Sequence, residues 1–504
     1  MKRISNITNL PLVIVFSLLL SGCLNNGNDI PIVSMPSQGQ VIARADNIEL
    51  QFGNSILTGS VEISGELQAE AAAFSMASRE MSDDTIIISP ATSWSVGGDR
   101  KLVISAKDVS GNASKITLSI NILLVVNNQQ AASVVIGQDD FVSANYLSST
   151  LNGTHDARSV DTSYGNPLFF NNYLYLPDYE GDRVLIFDGI PTSNSALASA
   201  VLGQSDFDES YHGSGAADFD GPQQIASSGT QFFIVDYENH RVVVYNQQPL
   251  TTDASADLVL GQSSFGPNNS SCAASTLDDP ESVFATENLL FVADADNHRV
   301  LIWNLPITQN GQPANLVLGQ VDFTHCDLNT GEDNVNRRGM SNPTAVWSDG
   351  NRIVVLDTYN NRALIWNKFP TQNNQAADLV LGQENFTDND ANTGISGAVI
   401  NGKVLSDPYN GLDSNGLQLC IADKDNNRVL IWNEFPTSNF QAADRVLGQQ
   451  DLTLSTLNDA NGDSTDDTTP SAQTLNEPKG CYFSNDKLLV NDMANSRWLI
   501  YQSQ

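Results

Sequence analysis

Six Asp-x-x-x-x-Arg pairs are the most conspicuous chemical groups in this chain: Asp178 with Arg183, Asp236 with Arg241, Asp294 with Arg299, Asp357 with Arg362, Asp423 with Arg428 and Asp492 with Arg497. A carboxylate beside a guanidinium can polarise a substrate. Six copies at one spacing, each leading into an apolar run, argue instead for a turn clamp in which the Asp accepts backbone N–H groups and the Arg forks onto the carboxylate. His240 and His298 occupy the repeat's own His position and share that structural reading. His155, His212 and His325 lie in variable loops, without partners at regular metal-ligand spacing. No Ser-His-Asp, Cys-His or phosphate-loop arrangement is visible, so no catalytic residue is assigned.

The Asp–Arg pairs belong to a longer repeat. A second motif, with Val-Leu-Gly-Gln as its fullest form, ends at Gln138, Gln204, Gln262, Gln320, Gln383 and Gln449. A third is a Pro opening a short apolar run, at Pro167, Pro222, Pro280, Pro343, Pro408 and Pro478. Each unit reads as four strands: a after the Pro, b running into the Asp, c from the Arg, and d ending at Gly-Gln. Four-stranded units repeated radially are propeller blades. The array opens on an orphan strand d, Val134-Val135-Ile136, and closes on an orphan a-b-c set ending at Trp498-Leu499-Ile500. Together they make one blade, so the N-terminal strand is expected to close the ring and remove two exposed edges.

The fullest copy, Asp294-Ala295-Asp296-Asn297-His298-Arg299-Val300-Leu301-Ile302-Trp303, resembles the NHL repeat. That resemblance spans roughly residues 129 to 504 and implies a six-bladed β-propeller; it is weaker in the first copy, where Gly181-Asp182 replace Asn-His. It also admits an enzyme, because relatives of this propeller include metal-dependent lyases and lactone hydrolases that work in the central channel. Such sites need convergent His, Glu, Asp or Asn side chains. The residues just after each strand-a Pro are Leu168, Gln223, Glu281, Thr344, Tyr409 and Lys479, with one carboxylate among them. Gln223, Glu281, Tyr409 and Lys479 are therefore the candidate ligand-binding residues at the channel mouth.

Loop lengths point to one face. From each Gln to the next Pro the spacings are 29, 18, 18, 23, 25 and 29 residues, whereas the motif Asp to the Asn or Asp after strand c is ten residues in each of the first five copies. Variation gathered in the d-to-a loops marks the binding surface, and the opposite face is expected to be scaffold. In the sixth such loop Asp459, Asn461, Asp463, Thr465 and Asp467 place oxygens at alternate positions, as a calcium loop does. The run resembles the start of an EF-hand loop, but lacks the sixth-position Gly and has Pro470 where the closing Glu belongs. Calcium is the one cofactor candidate. Cys272 and Cys326 fall in equivalent loops of neighbouring blades and are the expected disulfide in an exported chain; Cys420 and Cys481 fall within strands b and a and read as small buried apolar residues.

Two segments precede the repeats. Lys2 and Arg3, an apolar run from Leu10 to Leu20, and Leu20-Ser21-Gly22-Cys23 resemble the signal and lipobox of bacterial lipoproteins, which makes residues 1–22 the signal peptide and Cys23 the lipid attachment site. Leu24 follows, not the Asp of inner-membrane retention, so the resemblance favours the outer membrane in a Gram-negative host. Residues 23–29 read as a tether. Residues 30–127 show period-two alternation, as in Ile48-Glu49-Leu50-Gln51-Phe52. With Trp94 and Asp108-Val109-Ser110-Gly111-Asn112 they resemble a bacterial Ig-like β-sandwich, a spacer.

The balance of 24 basic against 58 acidic residues, a net charge of −34, argues against nucleic-acid binding and against electrostatic attachment to anionic lipid. The resulting expectation is an all-β, monomeric, lipid-anchored envelope protein, a small sandwich followed by a propeller that presents one face to a protein, peptide or glycan. The alternative is a metal-dependent lyase or hydrolase.

Overall fold

A computed structural model describes residues 30–35, 40–42, 44, 46–72, 74–92, 94, 96–144, 155–266, 269–331, 335–394 and 400–503. Cys23, the signal segment and the tether lie outside them. The chain divides into two compact units: one of residues 1–38, 47–92 and 101–119, the other of 39–46, 93–100 and 120–504.

Eight strands between Ile32 and Ile122 make two four-stranded sheets. Alternation sets their faces: Ile48, Leu50 and Phe52 are buried while Glu49 between them is exposed. The Asp108 carboxylate ties its turn by accepting the N–H groups of Ser110 at 2.9 Å and Asn112 at 2.8 Å.

From residue 134 onward the strands form six four-stranded antiparallel sheets. Their inner a strands are Leu168–Phe170, Pro222–Ser227, Pro280–Ala285, Pro343–Ser348, Pro408–Ser414 and Pro478–Ser484. The sixth sheet takes its outer strand from the start of the array: Ile136 pairs with Trp498, Val135 with Leu499 and Val134 with Ile500. Six apolar clusters follow, one between each pair of neighbouring sheets. The cluster that joins the last to the first holds Trp498 and Ile500 with Leu174, Leu176 and Leu185. A ring of blades whose every interface is packed, including the one across the chain ends, is a β-propeller. Strands c are apolar on consecutive residues because both their faces are covered.

The clamp is more extensive than the sequence suggested. In every blade the Arg Nε donates to one Asp oxygen at 2.6–2.7 Å, with both side chains wholly buried. The other oxygen accepts a backbone N–H from just ahead of strand a, as from Asp278 to Asp294 at 2.7 Å. With that oxygen occupied, the guanidinium does not fork onto the carboxylate. Its outer nitrogens serve loop carbonyls instead, those of Arg299 donating to Ala273, Thr276 and Phe323 at 2.9–3.1 Å. Asn297 and its counterparts donate to the same Asp; in the first blade Gly181 stands there, where a Cβ would lie 2.5 Å from Asp178 Oδ2.

The residue before each Arg adopts a left-handed backbone, with φ from 49° to 52°. In five blades its side chain accepts an N–H from the residue preceding the next blade's Pro: Gly221 to Asp182, Asp279 to His240, Asn342 to His298, Asp407 to Asn361 and Glu477 to Asn427. The repeat His residues are therefore latches between blades. The Gly-Gln motif serves the same turn: Gln320 Nε2 donates to the His298 carbonyl at 3.1 Å, and a Cβ on Gly319 would meet that oxygen at 2.8 Å.

Candidate functional site

Strand a lines the channel, and a bulge aims its second residue. In blades two to six the register slips directly after the Pro, as between Pro280 and Ser282 or Pro408 and Leu412. A bulge frees one residue from alternation and redirects its side chain. Gln223, Glu281, Thr344, Tyr409 and Lys479 all stand in such a bulge. The first blade pairs regularly from Leu168, and that residue lies at the other end of the channel.

The four candidate residues converge. Tyr409 Oη donates to Glu281 Oε1 at 2.5 Å, and Asn410 Nδ2 donates to Glu281 Oε2 at 3.0 Å and to Gln223 Oε1 at 2.8 Å. Asn410 is braced by its own N–H, which donates to Thr344 Oγ1 at 3.1 Å. The Lys479 ammonium lies over two rings, 3.9 Å from the Tyr164 centroid and 4.5 Å from that of Tyr409. Burial pushes the Glu281 carboxyl up to about 7, against the pull of Tyr409, Asn410 and Lys479. Burial also brings the Lys479 ammonium down to about 8, against the pull of Glu281.

Tyrosines surround this hub. Tyr164 and Tyr179 meet edge to face at 4.6 Å, and Tyr237 lies 6.2 Å beyond Tyr179. Tyr179 donates to Glu238 at 2.6 Å and Tyr237 to Asp279 at 3.3 Å, each reaching into the next blade. Tyr359 is exposed on the same turn of the fourth blade. The sequence reading missed these rings, yet Tyr179 and Tyr237 immediately follow the motif Asp and stand one column along the repeat. Asn410 was missed because it is the longest bulge, in blade five, that brings a third residue to this hub.

The remaining candidates sit elsewhere. His155 is half-buried, His212 borders an acidic depression with Asp182, Asp220 and Glu238, and exposed His325 pairs with Asp322 at 2.8 Å. Among the described residues, the one trio arranged like metal ligands is His240, Asp278 and Asp279, and the His240 ring nitrogen already serves as a latch. In the acidic loop Asp459 accepts the N–H groups of Gly462, Asp463 and Ser464, Asn461 that of Asp463, and Asp463 that of Thr465. Asp467 uses its own N–H on the Leu457 carbonyl. Those oxygens of Asp459, Asn461 and Asp463 hold the loop's own backbone.

Cys272 and Cys326 are bonded, with Cα atoms 6.2 Å apart. Cys420 and Cys481 are bonded as well, Cα atoms 6.3 Å apart, so they are not the separate apolar fillers expected. Strand b of one blade and strand a of the next bring them together, a juxtaposition that only the ring creates.

The opposite end of the channel is not solidly filled. A cavity of about 260 Å³ lies there, lined by strand-a residues of every blade, including Phe284, Trp347 and Asp413.

No known family profile matches the chain, and no curated protein shows significant similarity to it. Similar solved structures include a putative 6-phosphogluconolactonase from Bacteroides fragilis, 12% identical, covering 81% of this chain and 89% of that one at a TM-score of 0.36. The periplasmic gluconolactonase of Pseudomonas aeruginosa is 12% identical over 86% of this chain and 88% of its own, at 0.31. A PQQ-bound aldose sugar dehydrogenase from Streptomyces coelicolor is 12% identical over 70% and 96%, at 0.36. At such values these likenesses carry no argument about chemistry. The strand order and packed ring define the chain as a β-propeller protein.

Proposed function

We propose that this chain is a lipid-anchored binding scaffold of the cell envelope. In this reading an NHL-type propeller presents its variable-loop face to a protein, peptide or glycan, an Ig-like module spaces it from the membrane, and acylated Cys23 holds it to the outer membrane. The observation that carries the reading is the convergence of Gln223, Glu281, Tyr409 and Lys479 beneath a rim of tyrosines. Aromatic faces with a few fixed polar groups are the composition of recognition surfaces. The metal-dependent lyase or hydrolase reading has less support, because both Glu281 oxygens already accept hydrogen bonds and a Lys ammonium shares its surroundings.

The test is a mixed peptide and glycan array probed with the full chain. A defined set of ligands should be retained, and Tyr409→Ala combined with Lys479→Met should abolish that retention. Retention by the variant at the wild-type level, or no ligand at all, would contradict the reading. In the native host Cys23→Ala should move the protein from the membrane pellet to the soluble fraction, since a single acylated residue is the proposed anchor.

A further inference from the structure

We propose that the cavity at the far end of the channel is a second binding site, for a small organic ammonium carrying an aromatic or apolar body. It is separate from the tyrosine-rimmed mouth and does not depend on the reading given to that mouth.

The cavity combines an apolar wall with buried acceptors. Phe284 and Trp347 form an aromatic corner, ring centroids 6.2 Å apart, and Leu412 and Phe483 continue the wall. Leu168, Ser227, Phe284, Ala285 and Tyr482, which line it, are each partly exposed. Asp413 lines it at 7% exposure, and its Oδ2 accepts the Phe483 N–H at 2.8 Å. Gln224 lines it at 4% exposure; its Nε2 donates to the Val283 carbonyl at 3.2 Å, while its Oε1 accepts no hydrogen bond among the described residues.

Asp413 differs from the other buried acids of the propeller strands. The six motif aspartates each hold an Arg, and Glu281 feels Lys479. Asp413 is held by the backbone N–H groups of Phe483 and Ser414, and burial pushes its carboxyl up to about 7. Arg352, beside Trp347, is committed elsewhere: it pairs with Asp349 at 2.7 Å, donates to the Gly416 carbonyl and stacks on Phe435 at 3.8 Å. A buried carboxylate is costly until it finds a cation, and an aromatic corner attracts the same cation through its ring faces. An ammonium supplies charge and several donors at once, and its apolar body suits the remaining wall.

The walls are preorganised. Asp413 stands opposite Cys420 in the ladder, and the Cys420–Cys481 bond ties that strand to the one bearing Phe483. The Trp347 indole N–H donates to the Ser414 carbonyl at 2.9 Å, fixing the ring beside Asp413. Rigid placement lowers the ordering cost of binding.

The test titrates the full chain at neutral pH with phenethylammonium, 2-phenylethanol and phenylacetate by calorimetry. These probes share a body and differ in head charge. Phenethylammonium should bind, each of the other two at least roughly tenfold more weakly, the loss expected for one charge-assisted hydrogen bond. Asp413→Asn keeps an acceptor for the Phe483 N–H and should weaken phenethylammonium binding by a similar factor. Ala285→Phe should fill the cavity and abolish binding. Failure of phenethylammonium to bind, equal binding of phenylacetate, or unchanged affinity in Ala285→Phe would overturn the proposal. The wild-type comparison of the three probes stands even if either variant fails to fold.

Discussion

At the scale of single residues, the repeat keeps its identity because each motif side chain satisfies several buried groups at once. Arg362 donates to Asp357 and to the carbonyls of Asn336, Gly339 and Phe386. Replacing it with Met would keep the volume and strand an unpaired carboxylate in the core. Breaking a buried pair this way costs about 3–5 kcal/mol. Arg362→Met should lower the urea midpoint accordingly, whereas Arg445→Met, at an exposed strand position, should leave it within error; equal effects would show that the clamp contributes nothing special. The Asp, Arg, Gly and Gln of the clamp were legible in the sequence because sixfold recurrence marks structural work. The direction of the guanidinium was not: in five blades one of its acceptors is the carbonyl three residues after the motif Gln, as Phe386 stands to Gln383, and a backbone acceptor leaves no side-chain signature.

At the scale of elements, strand a decides what reaches the channel. The Pro announces the strand, and the bulge after it explains why one residue per blade turns inward. Gln223, Glu281, Tyr409 and Lys479 could thus be picked from the sequence by position alone. Asp413 could not, because it lies at the far end of its strand, beyond the part that repeats, and Cys420 and Cys481 gave no sign of their bond because their contact exists only across two blades. Two acids on these strands set a pH dependence. Folding raises Glu281 from 4.5 to about 7 and Asp413 from 3.8 to about 7. Between those values the native state holds more protons than the unfolded state, so stability falls as pH rises through the window. Lys479, lowered to about 8, adds its own change only above that window. Asp161 and Asp182, also raised to about 7, and Asp236 and Asp294, raised to about 6, act in the same direction. Urea midpoints should therefore decline from pH 5 to 7.5, and the double variant Glu281→Gln, Asp413→Asn should make the decline less steep. An unchanged slope in the double variant would assign the pH dependence to other groups.

At the scale of the whole molecule, the propeller is a ring closed by strands from the two ends of the repeat array. Six packed interfaces need the sixth blade complete, and its outer strand comes from more than 350 residues away in sequence. Closure also covers an edge that would otherwise offer unpaired backbone groups to a second chain. Both proposed binding sites lie on the channel this ring encloses. Val135 and Leu499 face each other across the closing pair, and the Val135 N–H turns away to Asn194, which leaves these two residues a non-hydrogen-bonded pair. Side chains stand closest at such a pair, close enough for a disulfide. The most direct measurement is therefore to express Val135→Cys with Leu499→Cys in the full chain and map its peptides without reduction. The closed ring predicts a cross-linked peptide containing positions 135 and 499, formed in folded monomer; recovery of both as free thiols in folded protein would contradict it.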